Sequence, residues 1–502
     1  MISKTIRVLT ILTMFMGFLA YAPDAQAGSV SCEFRTSDNF KKLLQCVTLA
    51  GVREHQAALQ AIANANGGTR LAGTQGYEDS VDYVVETMTA AGYNVTLDSF
   101  PYLFFPPAIL EQLTPVSATY ETGAFTNSGV ANVTGNVIAV DINLVPPRAS
   151  TSGCEAADFA GLDFSGPADI ALTQRGTCTF AVKVQNAEAA GAEAVIIFNQ
   201  GNDPTREGLI VGTLAPFAAS VPVVGASFAN GAALAQAGST AHVQVDPPAS
   251  ITLHNVLAES KTGDPNNVVM AGAHLDSVAA GPGINDNGSG SAVLLEVAEQ
   301  MRKVNPRNKL RFAWWGAEEA GLIGSTDYVN NLSQAEKDKI ALYLNFDMVG
   351  SPNYVFFIYD GDNSDGVGAG PGPQGSAAIE KTFERFYNLR GLPFKGTDFT
   401  GRSDYGAFIA NGIPAGGLFT GAEGVKTPAE VALWGGTAGA QYDPCYHLAC
   451  DTYANNNNTA LDNNSDAIAF AVLQYAMNTS DVNGVKGKGN FFVPPPPDQP
   501  IQ

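Results

Sequence analysis

From residue 251 onward, short apolar runs alternate with segments of helical periodicity, and this alternation narrows the possible folds more than any other feature. The apolar runs are 268–273, 310–315 and 340–346, and the helical segments between them are 289–304 and 319–331. Each run is almost uninterrupted, which is typical of parallel strands that helices bury on both faces. The pattern predicts an α/β fold with a mixed, mostly parallel sheet flanked by helices.

Side chains with metal-binding groups follow directly after these predicted strands. They are His274, Asp276, Asp286 in the next loop, Glu318, Glu319 and Asp347. The carboxyl ends of parallel strands border the ligand crevice of an open sheet, so these groups are expected to meet at one edge. A mixture of imidazole and carboxylate suits zinc or a similar metal, and roughly five or six such donors would hold two ions.

A further histidine, His447, lies in the segment 443–451 between two cysteines. A disulfide between Cys445 and Cys450 would hold its imidazole rigidly, as a metal ligand requires. Taken singly, a His-x-Asp or Glu-Glu pair is more often a solvated helix start, which the helix dipole favours. Their occurrence at successive strand ends, together with a cysteine-bracketed histidine, favours a joint functional role.

The six cysteines all lie beyond residue 27, and their even number is expected for an exported protein. Six cysteines allow 15 pairings. Proximity along the chain favours three local ones: Cys32–Cys46, Cys154–Cys178 and Cys445–Cys450. A four-cysteine metal site is disfavoured because no C-x-x-C spacing occurs.

Residues 1–27 have the pattern of a secretory signal peptide. Lys4 and Arg7 form a positive start, 8–20 is an apolar run too short for a comfortable membrane span, and 25–27 offers small residues for cleavage after Ala27. An uncleaved membrane anchor is the alternative. Because no later segment approaches ~18 uninterrupted apolar residues, the mature protein is expected to be secreted, extracellular and free of the membrane.

The chain of 502 residues is long enough for two or three folded units. Residues 28–129 are predicted as the N-terminal part of the main domain, 130–250 as a small β-rich insert and 251–480 as the remainder of the main domain with the metal site. Residues 481–502 are polar and end in a proline run, which predicts an extended tail outside the core.

The formal net charge of −21 disfavours nucleic acid and anionic membranes as partners. Serine-hydrolase chemistry is also disfavoured, since Gly288-Ser289-Gly290-Ser291 does not have the G-x-S-x-G spacing. A phosphate-binding G-x-x-x-x-G-K loop is absent from the sequence.

The motifs around the predicted ligands resemble those of the M28 family of metallopeptidases. The matching segments are Ala271–Ser277, Asp286–Gly290, Trp315–Leu322, Asn345–Gly350 and the Cys-Tyr-His loop. The resemblance covers about 251–480, with 55–105 similar to the opening helices of the family, and is strongest to secreted bacterial leucine-type aminopeptidases. The inserted region, through 175–180 and 189–192, resembles a protease-associated (PA) domain.

This resemblance implies a role for each residue of the set. Asp286 would bridge two zinc ions, His274 and Asp347 would complete one site, and Glu319 and His447 the other. Glu318 would be the general base, and Tyr446 would stabilise the oxyanion. Asp276 would accept the second ring N–H of His274 and so orient it. Arg402 would line the substrate cleft, although a surface arginine at a helix start is an equal alternative.

The resemblance implies a zinc-dependent aminopeptidase (EC 3.4.11 type) with two Zn²⁺ per chain. Its partners would be peptides or proteins with a free N-terminus, large apolar N-terminal residues being preferred, and the chain is expected to be a monomer. A carboxypeptidase or dipeptidase of the same fold is one alternative, and glutaminyl cyclisation on one zinc is another. A non-catalytic peptide-binding relative is a third, although such a chain should have lost ligand positions.

Overall fold

The computed structural model describes residues 29–368 and 370–491. The expected signal peptide and the last part of the expected tail, 492–502, lie outside the described residues. Among the described residues, no helix is long and apolar enough to cross a membrane.

The helices begin and end as follows: α1 (Ser29–Phe34), α2 (Phe40–Leu44), α3 (Leu49–Ala65), α4 (Gln75–Ala90), α5 (Phe180–Ala190), α6 (Phe228–Leu234), α7 (Gly288–Met301), α8 (Ile323–Asn331), α9 (Gln334–Lys337), α10 (Ser376–Arg390), α11 (Tyr405–Ala410), α12 (Pro428–Trp434), α13 (Asn458–Met477) and α14 (Ser480–Asn483). The strands are β1 (Asn94–Phe104), β2 (Ile109–Thr114), β3 (Ala118–Thr119), β4 (Ala131–Ala139), β5 (Asp169–Gln174), β6 (Ala194–Phe198), β7 (Val223–Ala226), β8 (Thr240–Val245), β9 (Ala249–Glu259), β10 (Asp264–His274), β11 (Asn308–Trp315), β12 (Ile340–Phe346), β13 (Phe357–Tyr359), β14 (Lys395–Thr397) and β15 (Ala415–Phe419).

The larger of two sheets has the strand order β1-β9-β11-β10-β12-β15-β13-β14. Its central strands β11, β10, β12 and β15 are parallel, while β1 and β9 pair antiparallel at one edge. The parallel core is the part that the apolar runs predict, because strands covered on both faces need no polar alternation. The predicted mixed, mostly parallel α/β fold is confirmed.

Helices cover both faces of this sheet and form two apolar layers. On one face α7 packs on β10 together with α3 and α13, and on the other α11 packs on β12 and β15 with α8 beside it. In the second layer the ring of Phe408 stacks on Tyr343 with centroids 3.9 Å apart. Both rings are buried. Close packing of this kind keeps the strands rigid next to the edge that carries the polar groups.

The smaller sheet forms the insert, and it takes in more of the chain than predicted. Its order is β3-β2-β8-β4-β5-β6-β7, so 109–119 belongs to the insert and the expected boundary at residue 130 is too late. The reason is that β2 pairs antiparallel with β8, which buries Leu110 beside Val243. Buried positions of β2 alternate with half-buried ones and its end is exposed, so the strand lacks the continuous apolar run by which the other strands are recognised.

The C-terminal end also differs from the expectation of an extended tail from residue 481. Val482 and Phe491 are buried, and the ring of Phe491 lies 5.2 Å from that of Phe40. Gln474 donates a hydrogen bond to the carbonyl of Phe491. The described part of this segment therefore packs on the main domain, because two apolar side chains anchor it.

The six cysteines form three disulfides, Cys32–Cys46, Cys154–Cys178 and Cys445–Cys450. The first lies near α2, the second is in the insert, and the third closes the loop that carries His447.

Candidate metal centre

Three adjacent parallel strands deliver polar side chains to one edge of the large sheet. β10 ends at His274, β12 ends immediately before Asp347, and β11 ends three residues before Glu318. Because β11 and β12 flank β10, their carboxyl ends lie side by side. The loop before α7 then brings Asp286 to the same edge.

Glu318 and Glu319 lie in a turn rather than at the start of a helix. The predicted helix from 319 begins only at Ile323, because the Glu318 carbonyl accepts the N–H groups of Gly321 and Leu322 at 2.8 Å each. Gly321 has φ +106°, a left-handed conformation that glycine adopts without steric cost. The turn directs two successive carboxylates into the edge of the sheet.

The two histidines face the two oxygens of one carboxylate. His274 Nε2 lies 3.2 Å from Asp286 Oδ1, and His447 Nε2 lies 3.2 Å from Asp286 Oδ2. His274 Nε2 is also 3.4 Å from Asp347 Oδ1, and His447 Nε2 is 2.9 Å from Glu319 Oε2. The arrangement is two histidine–carboxylate groups that share Asp286.

These separations fit zinc coordination. Zinc bonds of about 2.0–2.1 Å at tetrahedral angles place two ligand atoms about 3.3 Å apart. The four histidine–carboxylate distances lie between 2.9 and 3.4 Å. Each group therefore leaves space of the right size for one ion between its donors.

Unsatisfied polar atoms point to the same conclusion. Glu319 Oε1 and Asp347 Oδ1 are buried without a hydrogen-bond partner among the described residues. Within residues 29–368 and 370–491, these carboxylates form ion pairs with the two histidines and with no lysine or arginine. Buried carboxylates without a compensating cation are costly, so the residues present fit a metal ion.

Burial makes the negative charge of the site unfavourable in the absence of a cation. It raises the pKa of Glu319 to about 7, and the Asp286 carboxylate adds to the effect. The pKa of His447 rises to about 10, because hydrogen bonds to Asp286 and Glu319 outweigh the effect of burial. A cation bound between these groups would offset the same cost of burying negative charge.

Two other groups of metal-binding side chains in the described residues are less suited to an ion. In the group His55, Glu296 and Glu299, the Glu296 carboxylate already accepts the backbone N–H of Thr48 at 2.9 Å, and His55 Nδ1 is bonded to Tyr83 Oη at 2.7 Å. In the group Asp360, Asp362 and Glu380, the Lys381 ammonium already lies 3.5 Å from Asp362.

Glu318 stands apart from the shared carboxylate. It is 9% exposed, and its Oε2 lies 4.0 Å from His274 Nε2, farther than the other carboxylates. Burial raises its pKa well above the usual range, against the opposing effect of His274. A carboxyl group with a raised pKa beside a ligand set suits proton transfer.

The structure places Asp276 behind His274, but the expected hydrogen bond is not made. Asp276 Oδ1 lies 3.6 Å from His274 Nδ1, and that nitrogen has no hydrogen-bond partner in the described chain. Asp276 instead accepts the backbone N–H groups of Glu318 at 3.1 Å and Glu319 at 3.3 Å. Its carboxylate therefore fixes the turn as well as adjoining the histidine.

The loop of His447 also carries Tyr446. The two rings stack with centroids 3.8 Å apart, and Tyr446 Oη lies 3.4 Å from Arg402 Nη2. Arg402 itself donates to the exposed Glu423 at 2.7 Å. Tyr446 and Arg402 thus lie together at the mouth of the cleft.

The cleft has a volume of about 680 Å³ and ends at the carboxylates of the site. Its apolar lining includes Met348, Phe357, Tyr359, Phe419 and Tyr442. The cleft therefore joins an apolar recess to the carboxylate–histidine groups.

Sequence reasoning missed the residues that support the ligands. Ser403 donates to Asp347 Oδ2 at 2.6 Å and accepts from Asn345 at 2.8 Å. Asn345 in turn accepts from Tyr343 at 3.0 Å, which accepts from the Trp315 indole at 2.8 Å. A Ser-Asp pair before a predicted helix gives no distinctive signal, so only the fold reveals this chain of donors.

Comparison with known proteins agrees with the geometry. The sequence profile described as "Peptidase family M28" matches residues 255–472, and the profile "PA domain" matches 133–234. An aminopeptidase of Pseudomonas aeruginosa is 50% identical over 452 residues, covering 88% of this chain and 83% of the relative.

Two further proteins are similar over most of the chain. A probable leucine aminopeptidase 2 of Aspergillus fumigatus is 43% identical over 412 residues, covering 81% of this chain and 79% of the relative. The solved structure of a zinc aminopeptidase from Bacillus subtilis is 25% identical with a TM-score of 0.57, covering 85% of this chain and 94% of that one.

Proposed function

The chain belongs to peptidase family M28 and is a zinc aminopeptidase, and we propose that it is a secreted enzyme with two zinc ions that removes large apolar residues from the N-termini of peptides and proteins. The observation that carries the proposal is the position of Asp286, whose two oxygens each face a different histidine at 3.2 Å. A carboxylate in this position suits a bridge between two ions.

In this proposal each ion has its own terminal ligands. His274 and Asp347 would hold one zinc, Glu319 and His447 would hold the other, and Asp286 would contribute one oxygen to each. One metal would leave two of these donors without a role, which argues against a one-zinc cyclase.

Glu318 is the general base of the proposed reaction. When bound, the zinc ions supply Lewis acidity to the scissile carbonyl and to the attacking water. Glu318 takes a proton from the water and passes it to the leaving amine, since its carboxyl lies beside the proposed ligands, with Oε2 4.0 Å from His274 Nε2, rather than among them.

Other residues bind and orient the substrate. Tyr446 donates to the developing oxyanion from the mouth of the cleft, and Asp347 and Glu318 are the carboxylates nearest to an incoming α-ammonium group. Arg402, which also donates to Glu423, contacts a peptide carbonyl beyond the scissile bond. Asp276 keeps His274 and the Glu318 turn in place.

The preference for large apolar N-terminal residues is supported by the cleft. The wall of Met348, Phe357, Tyr359, Phe419 and Tyr442 offers apolar surface next to the carboxylates. Burying a large aliphatic side chain there would contribute about 1.5–3 kcal/mol. A carboxypeptidase would instead need a free cation for the C-terminal carboxylate, whereas Arg402 is paired with Glu423.

Secretion is supported by the sequence pattern of residues 1–27 and by the three disulfides, which persist in oxidising compartments. In this proposal the mature enzyme is a monomer whose main domain is interrupted by the PA-like insert.

The deciding experiment uses two chromogenic substrates, leucine p-nitroanilide and its N-acetylated form. We expect the metal-replete protein to hydrolyse only the free amine, chelation to abolish turnover and added zinc to restore it. Equal hydrolysis of the blocked substrate, or full activity after chelation, would overturn the proposal.

A further inference from the structure

Arg70, between α3 and α4, is completely buried and bonds to the loop that joins two proposed zinc ligands. Its Nε donates to the Pro282 carbonyl at 2.9 Å and its Nη2 to the Gly283 carbonyl at 2.7 Å. Its Nη1 donates to the Leu275 carbonyl, directly after His274. One guanidinium therefore spans 275–283, the segment between His274 and Asp286.

The backbone around Arg70 holds the same loop. The Arg70 N–H donates to Ser277 Oγ at 2.9 Å, and the Arg70 carbonyl accepts the Ser277 N–H at 3.3 Å. Thr69 Oγ1 donates to the Val278 carbonyl at 2.8 Å. Side chain and main chain together form a clasp on the loop, which we call the Arg70 clasp (residues 69–70 with 275–283).

The charge of Arg70 has an unusual setting. Buried arginines are normally paired with a carboxylate, but within the described residues the side-chain hydrogen bonds of this guanidinium all go to backbone carbonyls. Burial lowers its pKa to about 10, and the nearby carboxylates Asp276, Asp451, Asp286 and Glu319 oppose that shift. The group therefore stays charged at neutral pH and its positive charge acts on the carboxylates of the site.

We propose that Arg70 is a positioning residue for the zinc centre, because its hydrogen bonds fix the 275–283 loop so that Asp286 meets both histidines. The inference rests on the proposed zinc ligands. Lysine cannot reproduce the effect, since one ammonium lacks the planar fork that reaches three carbonyls at once.

The test compares Arg70→Lys with Arg311→Lys. Arg311 is a matched control because it also bonds through its guanidinium, to Glu259 at 2.7 Å and Tyr328 at 2.5 Å, but lies mid-strand in β11 away from the ligands. For both variants the zinc content, the rate of zinc release to a chelator, the kcat and KM for leucine p-nitroanilide, and the unfolding temperature of the zinc-free protein are measured.

A positioning role predicts that Arg70→Lys releases zinc about 10- to 100-fold faster than the wild type and loses kcat by a similar factor. KM should change by less than about threefold, and Arg311→Lys should keep wild-type zinc release and kcat even if its unfolding temperature falls. If Arg70→Lys released zinc as slowly as the Arg311→Lys control and had the same kcat, the inference would be overturned. Arg70 would then only stabilise the fold.

Should Arg70→Lys fail to fold, Ser277→Ala takes its place. This change removes the acceptor of the Arg70 N–H while keeping the guanidinium. Several-fold faster zinc release supports the clasp, and unchanged release contradicts it. Wild-type protein that binds no zinc would contradict the proposed function instead, so the two failures are distinguishable.

Discussion

The carboxylate of Asp451 accepts the backbone N–H of Asp286 at 2.9 Å. Its other oxygen accepts the N–H of Asn285 at 2.8 Å. At the opposite end of the disulfide loop, Asp443 accepts from the Asn285 side chain at 2.6 Å. The loop that presents His447 is therefore fastened at both ends to the loop that presents the shared carboxylate.

This connection predicts that opening the Cys445–Cys450 disulfide weakens one zinc site only in part. In the double variant Cys445→Ser/Cys450→Ser, the Asp443 and Asp451 contacts remain, but the short loop between residues 445 and 450 is freer. We expect kcat to fall about tenfold and the zinc ion assigned to Glu319 and His447 to be released faster. The reason is that losing an outer contact that orients a metal ligand typically lowers metal affinity or activity by 10- to 100-fold.

The measurements are metal analysis and steady-state kinetics under non-reducing conditions. Cys154→Ser/Cys178→Ser is the control, since it opens a disulfide of the insert and should leave zinc content unchanged. Wild-type zinc retention and kcat in the Cys445/Cys450 variant would show that the disulfide does not hold the ligand.

A second prediction concerns the number of ions. Because Asp286 faces both histidines, Asp286→Ala should lose both zinc ions, whereas His447→Ala should lose one. Elemental analysis after gel filtration measures the ratio of zinc to protein. Equal zinc content in the two variants would contradict the bridging role.

A third prediction separates proton transfer from metal binding. Glu318→Gln keeps the shape of the side chain and should retain zinc while kcat falls by about 10²–10⁴. Glu423→Gln, at the exposed mouth of the cleft, is the control and should keep most of kcat. Substantial turnover by the zinc-loaded Glu318→Gln variant would remove Glu318 from its assigned role.

Much of this site could be predicted from sequence because strand ends in an α/β sheet have predictable positions. The apolar runs locate β10, β11 and β12, and residues directly after them must lie at one edge. His447 can also be predicted as a ligand from the sequence, since the flanking cysteines indicate a constrained loop. All five proposed ligands thus come from local patterns combined with one topological rule.

The supporting residues could not be predicted, because they depend on contacts between distant segments. Arg70 meets a loop some 200 residues later, and Ser403 meets Asp347 across the cleft. The early start of the insert was missed for a related reason. β2 is recognisable only through its pairing with β8, 131 positions further along the chain at the Glu111–His242 contact.

A fourth prediction follows from the hydrogen-bond chain that ends at Asp347. Ser403→Ala removes the donor to Asp347 Oδ2 and also leaves the buried Asn345 amide without its acceptor. A buried unsatisfied group costs about 1–3 kcal/mol, so the unfolding temperature should fall. Zinc release should also quicken about tenfold, which chelator kinetics would detect. If the unfolding temperature fell but zinc were released at the wild-type rate, Ser403 would stabilise the fold without supporting the metal ligand.

The last prediction concerns acid stability and the apolar wall of the cleft. Glu430 accepts hydrogen bonds from Lys395 at 2.7 Å and from Tyr442 at 2.9 Å, and Tyr442 forms part of that wall. Burial disfavours the charge, but the bonds from Lys395, Thr427 and Tyr442 prevail and lower the pKa of Glu430 to about 2. Because the folded pKa lies below the ordinary value of 4.5, ionised Glu430 stabilises the fold above pH 4.5, and this contribution is lost as the pH falls toward 2.

Glu430→Gln should therefore lower the unfolding temperature at pH 7, where a charged acceptor is worth about 1.5–3 kcal/mol. The difference between wild type and variant should shrink as the pH falls from 4.5 toward 2. Both proteins are measured without zinc by thermal unfolding, so that acid release of the metal does not contribute. Glu336→Gln is the control, because this exposed residue makes a similar helix cap far from the cleft. A difference that stays constant from pH 7 to pH 2 would mean that the charge of Glu430 does not support the wall of the cleft.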